Sequence, residues 1–247
     1  MFPTASKRRA NIFARIPIHQ WFDNWSLQTP TENEELQFDG LRESSIYIHR
    51  LLETEIAAVG AKNVVLWGLS QGMAISMVSL LLSEGSEIAA VVGMCGWLPL
   101  RKRMEDMIRD EDLLHDEDNP FASTNQEVLD ASIGEMLPQN EAIAFKFEKA
   151  VRYLREELQM PDKSESYILP RVPNFLGHGT EDEKVPLELD REAADFLRFL
   201  DFDVEYREYD GLTHWYSGQM LQDIIQFFQL KTELQSASYK SDEVETE

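Results

Sequence analysis

Five residues constrain this chain more than any others: Gly68-Leu69-Ser70-Gln71-Gly72. This G-x-S-x-G follows a short apolar run, Val64-Val65-Leu66-Trp67, and precedes an apolar stretch from Met73 to Leu82. The first run lacks polar alternation, as in a strand buried on both faces of a parallel sheet. The second is apolar enough for a buried helix. A strand that turns into a helix this abruptly forces the residue at the tip into strained dihedrals. Glycine on both sides relieves collisions with neighbouring side chains. A serine at the tip stands at a helix N-terminus, where free N–H groups and the dipole favour developing negative charge. The backbone N–H of Gln71 would point at such an oxyanion. The plainer reading is a glycine-bounded turn in any parallel sheet. The strand and helix on either side favour the nucleophile.

The rest of the chain repeats strand and helix signals. Residues 11–33 read as strand ends and loop. Asp39 and Gly40 open a helix whose apolar positions run through Leu41, Ile48, Leu52, Ile56 and Val59, with Gly60 as its stop. Ala89 to Cys95 is a second continuous apolar run, so strand, helix and strand follow in the order of a parallel sheet. Asn174 to Gly177 and Asp203 to Tyr209 read as further strands, the latter half-exposed. Helices are expected through Leu189–Leu200 and Leu221–Phe228. The expected fold is α/β: a mostly parallel sheet with helices on both faces, in one domain over residues 1–230.

Two segments depart from this rhythm. Residues 104–118 are crowded with acids, with Arg109 their only Lys or Arg, and read as a solvated excursion. A stripe of Ile143, Phe147, Val151, Leu154 and Leu158 then marks an amphipathic helix. Residues 101–170 are therefore expected to be a partly helical insertion or cap between strands. The tail, 231–247, is acidic with little to bury and is expected to be disordered.

Charge narrows the function. The chain has 23 Lys and Arg against 45 Asp and Glu, 23 − 45 = −22. So acidic a surface is repelled by phosphate backbones and anionic lipid heads, which argues against nucleic-acid binding and polybasic membrane anchoring. No stretch reaches the roughly eighteen apolar residues of a membrane helix, and no apolar core of a signal peptide is read near the start. The single cysteine, Cys95, rules out an internal disulfide and a thiolate-rich zinc site, and suits a reducing compartment.

A nucleophilic serine needs a base, and the base needs an orienter. His214 lies in Asp210-Gly211-Leu212-Thr213-His214, between the last strand and the last helix, where a base on the carboxyl edge of a sheet belongs. Asp182 lies in His178-Gly179-Thr180-Glu181-Asp182, just after another strand. Glu181 and Glu183 are rival orienters by position. His19 and His49 precede the serine, and His115 sits among the acids.

With these residues in place, the chain resembles the phospholipase/carboxylesterase family of α/β-hydrolases, which includes the acyl-protein thioesterases. The matching landmarks are Trp21-Phe22-Asp23, Gly68-Leu69-Ser70-Gln71-Gly72, Trp97-Leu98-Pro99, His178-Gly179-Thr180-Glu181-Asp182 with Val185-Pro186, and Gly211-Leu212-Thr213-His214. The resemblance implies Ser70 as nucleophile, His214 as base and Asp182, over its glutamate neighbours, as orienter. It implies cleavage of acyl esters or thioesters, including those of acylated proteins or lysophospholipids, in the cytoplasm and without metal or cofactor. It places Trp97 and Leu98 near the acyl-binding groove, with core packing as the alternative. One landmark is missing: no His-Gly-rich loop precedes Trp21, and Met1 to Ala5 resemble the end of a strand that follows it in the family. The expectation is a fold shortened at its N-terminus with one strong backbone oxyanion donor, where loss of the second costs about a hundred- to a thousand-fold in turnover. The rival expectation is a weakened or inactive relative that binds acylated protein or lipid.

Overall fold

The computed structural model describes residues 1–83, 88–116, 139–162 and 167–232. Strands β1 (Lys7–Ala10) and β2 (Ile16–His19) form an antiparallel hairpin, of which only β2 falls within residues 11–33, the segment read from sequence as strand ends and loop. Helix α1 (Glu35–Val59) follows, then β3 (Val65–Leu69), α2 (Gln71–Leu81) and β4 (Ala90–Met94). Next come α3 (Arg101–Asp116), α4 (Gln139–Glu157), β5 (Asn174–Gly179), α5 (Leu187–Phe199), β6 (Val204–Tyr209) and α6 (Gly218–Lys231). The main sheet has the order β3-β4-β5-β6 and every pairing in it is parallel.

The alternation of side chains along β4 divides the core. Val91 of β4 and Leu176 of β5 face a large cluster that holds residues of α1 to α5. Ala90, Val92, Met94 and Phe175 face the opposite side, where α6 supplies Met220, Ile224 and Phe227. Both faces are thus covered, as a parallel sheet requires.

Three local readings change. Helix α1 begins at Glu35, before Asp39 and Gly40. Gly40 is an interior contact: a Cβ there would lie 2.5 Å from Cα of Phe22, so it admits the front segment against the helix. Gly60 does end the helix, with φ of 84°. Strand β3 is not buried on both faces. It is an edge of the described sheet, and Trp67 is 44% exposed, its ring edge-on to Phe228. The acid-rich stretch is also less solvated than its charge implies. It forms much of α3, and Met104 and Ile108 are fully buried in the main cluster.

Helix α4 follows the stripe. Phe147, Val151, Leu154 and Leu158 are buried, Phe147 against Phe202. Each such side chain contributes roughly 1.5–3 kcal/mol. Arg155 on the same helix donates to the carbonyls of Leu82 and Pro161. The described helices of the expected insertion, α3 and α4, therefore pack into the main core. Residues 117–138 and 163–166 of that segment lie outside the described residues, as does the tail from 233 onwards.

Candidate active site

Parallel strands bring all their carboxyl ends to one edge of the sheet, and ligand sites form there. Ser70 follows β3, Cys95 follows β4, Asp182 follows β5 and His214 follows β6.

Ser70 has φ 56° and ψ −122°, outside the favoured left-handed region and so strained, at a cost of about 1–3 kcal/mol. Its N–H donates to the carbonyl of Met94 at 2.8 Å, and its carbonyl accepts from the N–H of Ala74 at 3.1 Å. The elbow is therefore pinned to β4 on one side and to the helix on the other. The two flanking glycines are not equivalent. A Cβ on Gly68 would lie 2.2 Å from the carbonyl oxygen of Gly72, whereas one on Gly72 would meet nothing within 4 Å. Only the first is required by space.

Gln71 is the first residue of α2, so its backbone N–H has no acceptor within the helix. Its side chain has a second task that the sequence did not reveal. Oε1 accepts from the N–H of Trp21 at 2.7 Å, and Nε2–H donates to the carbonyl of Phe22 at 2.8 Å. Ser44 of α1 completes the grip by donating to the carbonyl of Trp21. The front segment is thus fastened beside the serine.

The loops after β5 and β6 are joined by their backbones. Thr180 N–H donates to Tyr209 O and Glu181 N–H to Leu212 O, each at 3.0 Å. Gly211, at φ 69°, donates its N–H to the Thr180 hydroxyl. Gly179 makes this approach possible, because a Cβ there would lie 2.0 Å from the carbonyl oxygen of Leu212. As a result Nδ1 of His214 sits 2.7 Å from Oδ2 of Asp182. The Asp182 side chain is fully buried and that of His214 is 13% exposed. Oδ1 of Asp182 accepts from the backbone N–H groups of Lys184 and Val185. Burial alone would raise the pKa of the Asp182 carboxyl. The Val185 N–H, His214 and the Lys184 N–H outweigh burial and hold it below the usual range. The rival orienters, Glu181 and Glu183, are exposed.

Cys95 shares this cluster: its sulfur, a ring nitrogen of His214 and a carboxylate oxygen of Asp182 lie within 4.8 Å of one another. Burial, and then the charge of Asp182, push its thiol up to about 11. It stays protonated at neutral pH and is no rival to a serine nucleophile.

A family model described as Phospholipase/Carboxylesterase matches residues 1–114 and 158–232. The chain belongs to that family. Among the relatives of this phospholipase/carboxylesterase member is acyl-protein thioesterase 1 of Gibberella zeae, 23% identical over 222 residues, or 88% of this chain and 69% of that protein. Acyl-protein thioesterase 1 of Yarrowia lipolytica is 22% identical over 93% of this chain and 76% of its own length. Among solved structures, SOBER1 of Arabidopsis thaliana superposes with a TM-score of 0.58 at 20% identity, over 94% of this chain and 82% of that one. Acyl-protein thioesterase 2 of Zea mays gives 0.56 at 20% identity, over 93% and 79%. The fold is that of an α/β-hydrolase.

Within this phospholipase/carboxylesterase fold, Trp97 and Leu98 are core residues, 6% and 5% exposed. Trp97 packs edge-on to Phe22. Both also line a cavity of about 250 Å³ with Asn24, Glu34, Gln37 and Arg101. A larger cavity, about 320 Å³, lies between α1 and α2 and is lined by His49, Leu66 and Ser79. Neither is lined by Ser70, Asp182 or His214. Among the described residues no helix is long and apolar enough to cross a membrane.

Sequence reasoning missed the spacing role of Gly179, the side-chain task of Gln71 and a buried partner, His178, which touches Asp182. Gly179 and His178 both stand in the motif that carries Asp182, and that motif was the available signal. Nothing in the sequence pairs Gln71 with Trp21, fifty residues earlier.

Proposed function

We propose that the protein is a serine hydrolase that cleaves acyl esters or thioesters, acylated proteins among them, through Ser70, His214 and Asp182. The observation that carries the reading is the part-buried Asp182–His214 contact at 2.7 Å, on the sheet edge where Ser70 holds a strained φ of 56°. Membership of the family, and relatives named acyl-protein thioesterase, support the choice of reaction.

In this mechanism Ser70 Oγ attacks the acyl carbonyl while His214 Nε2 takes its proton. Asp182 accepts the Nδ1–H of His214, fixes the tautomer and stabilises the imidazolium that forms. The backbone N–H of Gln71 donates to the oxyanion. Imidazolium then protonates the leaving alcohol or thiol. His214 activates a water that releases the acid from Ser70, and the free hydroxyl is restored. Trp97 and Leu98 pack in the core and line a cavity that Ser70, Asp182 and His214 do not, so no acyl-chain contact is assigned to them. No metal or cofactor takes part in these steps. A cytoplasmic setting belongs to the same reading, supported by a lone free cysteine.

The test is labelling with a fluorophosphonate, together with turnover of an acyl thioester and its matched oxygen ester. Ser70→Ala is expected to abolish both. Labelling that survives this substitution refutes the assignment. Labelling of the wild type without turnover of either substrate favours the acyl-binding relative instead.

A further inference from the structure

His214 is not the only imidazole on Asp182. Nε2 of His178, at the end of β5, lies 3.2 Å from the same oxygen, Oδ2, and both side chains are fully buried. The other ring nitrogen, Nδ1, is 2.8 Å from Oδ2 of Asp190 in α5, whose side chain is also fully buried. Nε2 is in addition 3.1 Å from the carbonyl oxygen of Val185. A carbonyl only accepts, so Nε2 must carry a proton. That holds whether the proton shared with Asp190 rests on the imidazole or on the carboxyl.

Two imidazoles therefore lie against one carboxylate oxygen: Nε2 of His178 at 3.2 Å, whose hydrogen bond goes to Val185 O, and His214 at 2.7 Å. We infer that His178 is a positioning residue, whose protonated Nε2, 3.2 Å from Oδ2 of Asp182, attracts that oxygen electrostatically and limits how strongly the carboxylate supports protonation of His214. The inference rests on the reading of His214 as the base.

The other oxygen of Asp182 is held by the N–H groups of Lys184 and Val185 at 2.8 and 3.0 Å. Replacing His178 therefore leaves the carboxylate aimed as before and changes the charge that His214 meets. The titratable groups packed around the two imidazoles are Asp182, Asp190, Glu208, Tyr206 and Cys95. Glu208 is engaged by Arg191 at 2.6 Å. The Cys95 thiol and the Tyr206 phenol are both pushed up by burial, and both stay protonated near neutral pH. Asp190 is fully buried and its Oδ1 has no hydrogen-bond partner among the described residues, where His178 is the side chain that holds its other oxygen. A His–Asp pair that only fills the core would affect stability and leave His214 alone.

The experiment follows the imidazoles of the full chain by nitrogen-15 NMR and measures the pH profile of kcat/KM beside it. In the wild type, Nε2 of His178 stays protonated while His214 titrates. A bare Nε2 overturns the inference with no variant needed. In His178→Asn the Nε2–H is lost, and His214 should titrate at higher pH than in the wild type. The acid limb of kcat/KM moves up with it, and KM is unchanged. His178→Gln places an amide N–H near the former Nε2 and should bring both back toward wild type. If both variants lose thermal stability while His214 titrates unchanged, His178 is structural only and the inference fails. If His178→Asn does not fold, the wild-type protonation of Nε2 decides. If the wild type turns over no substrate, the hydrolase reading falls, and the NMR titration still judges His178.

Discussion

Nδ1 of His214 meets Oδ2 of Asp182 at 2.7 Å because the loops that carry them are joined by backbone hydrogen bonds over the unsubstituted Cα of Gly179. Asp182→Asn keeps the shape of this contact, but its amide can hold the wrong tautomer of the imidazole. Turnover is expected to fall by about ten-thousand-fold with KM little changed. Steady-state kinetics on a thioester check this. A loss below tenfold would remove Asp182 from the mechanism.

The two glycines of the elbow should respond in opposite ways. Gly68→Ala drives a Cβ to 2.2 Å from a backbone oxygen, and backbone cannot give way as a flexible side chain can. Loss of labelling at Ser70 and destabilisation by roughly 2–4 kcal/mol are expected, from strain at a close backbone approach. Gly72→Ala enters open space in the first turn of α2. It should be neutral or stabilise by up to about 1 kcal/mol, as alanine is the better helix former. Urea unfolding of the two variants separates these outcomes.

Gln71→Ala removes both hydrogen bonds to the front segment, leaving Trp21 N–H and Phe22 C=O without their partner. Each partly buried group left unpaired costs about 1–3 kcal/mol. The proposed oxyanion donor is the backbone N–H of the same residue and survives the change. Limited proteolysis should therefore find new cleavage near residues 20–24, while kcat of the intact fraction falls far less than in Asp182→Asn.

Acid should weaken the fold through identifiable carboxylates. Burial of Asp223 is outweighed by hydrogen bonds from Tyr209, Gln219 and Arg207, so its pKa lies below the ordinary 3.8. Glu208 is held below 4.5, chiefly by Arg191. For each, the unfolded chain takes up its proton first as the pH falls. The stabilisation is therefore complete above those ordinary values and is lost below them, through the folded pKa. Asp223→Asn should flatten the fall of Tm below pH 3.8 relative to wild type. An unchanged slope would show that Asp223 is not one of the groups responsible.

The sequence announced the elements that repeat a simple period and the residues that stand at their ends. The strand–elbow–helix around Ser70 and the loops bearing Asp182 and His214 were legible because each follows an apolar run. What remained hidden depends on neighbours remote in the chain. Val64 to Trp67 read as fully buried, yet an apolar run cannot reveal whether another strand lies alongside, and β3 is an edge of the described sheet. Gly40 resembled a helix start because the reason for it, contact with Phe22, comes from another segment. The acids of α3 obscured Met104 and Ile108, since charge on one face of a helix says little about the opposite face. Asp190 is twelve residues from His178, and only the docking of α5 on the sheet brings them together.

The grip of Gln71 on Trp21 and Phe22 gives the front of the molecule a mechanical link to its chemistry. The residue that would steady the reaction's negative charge is also the clasp for a segment some fifty positions upstream. Opening of that segment loosens the start of α2, so more frequent breathing at the periphery should go with a modestly slower acyl transfer.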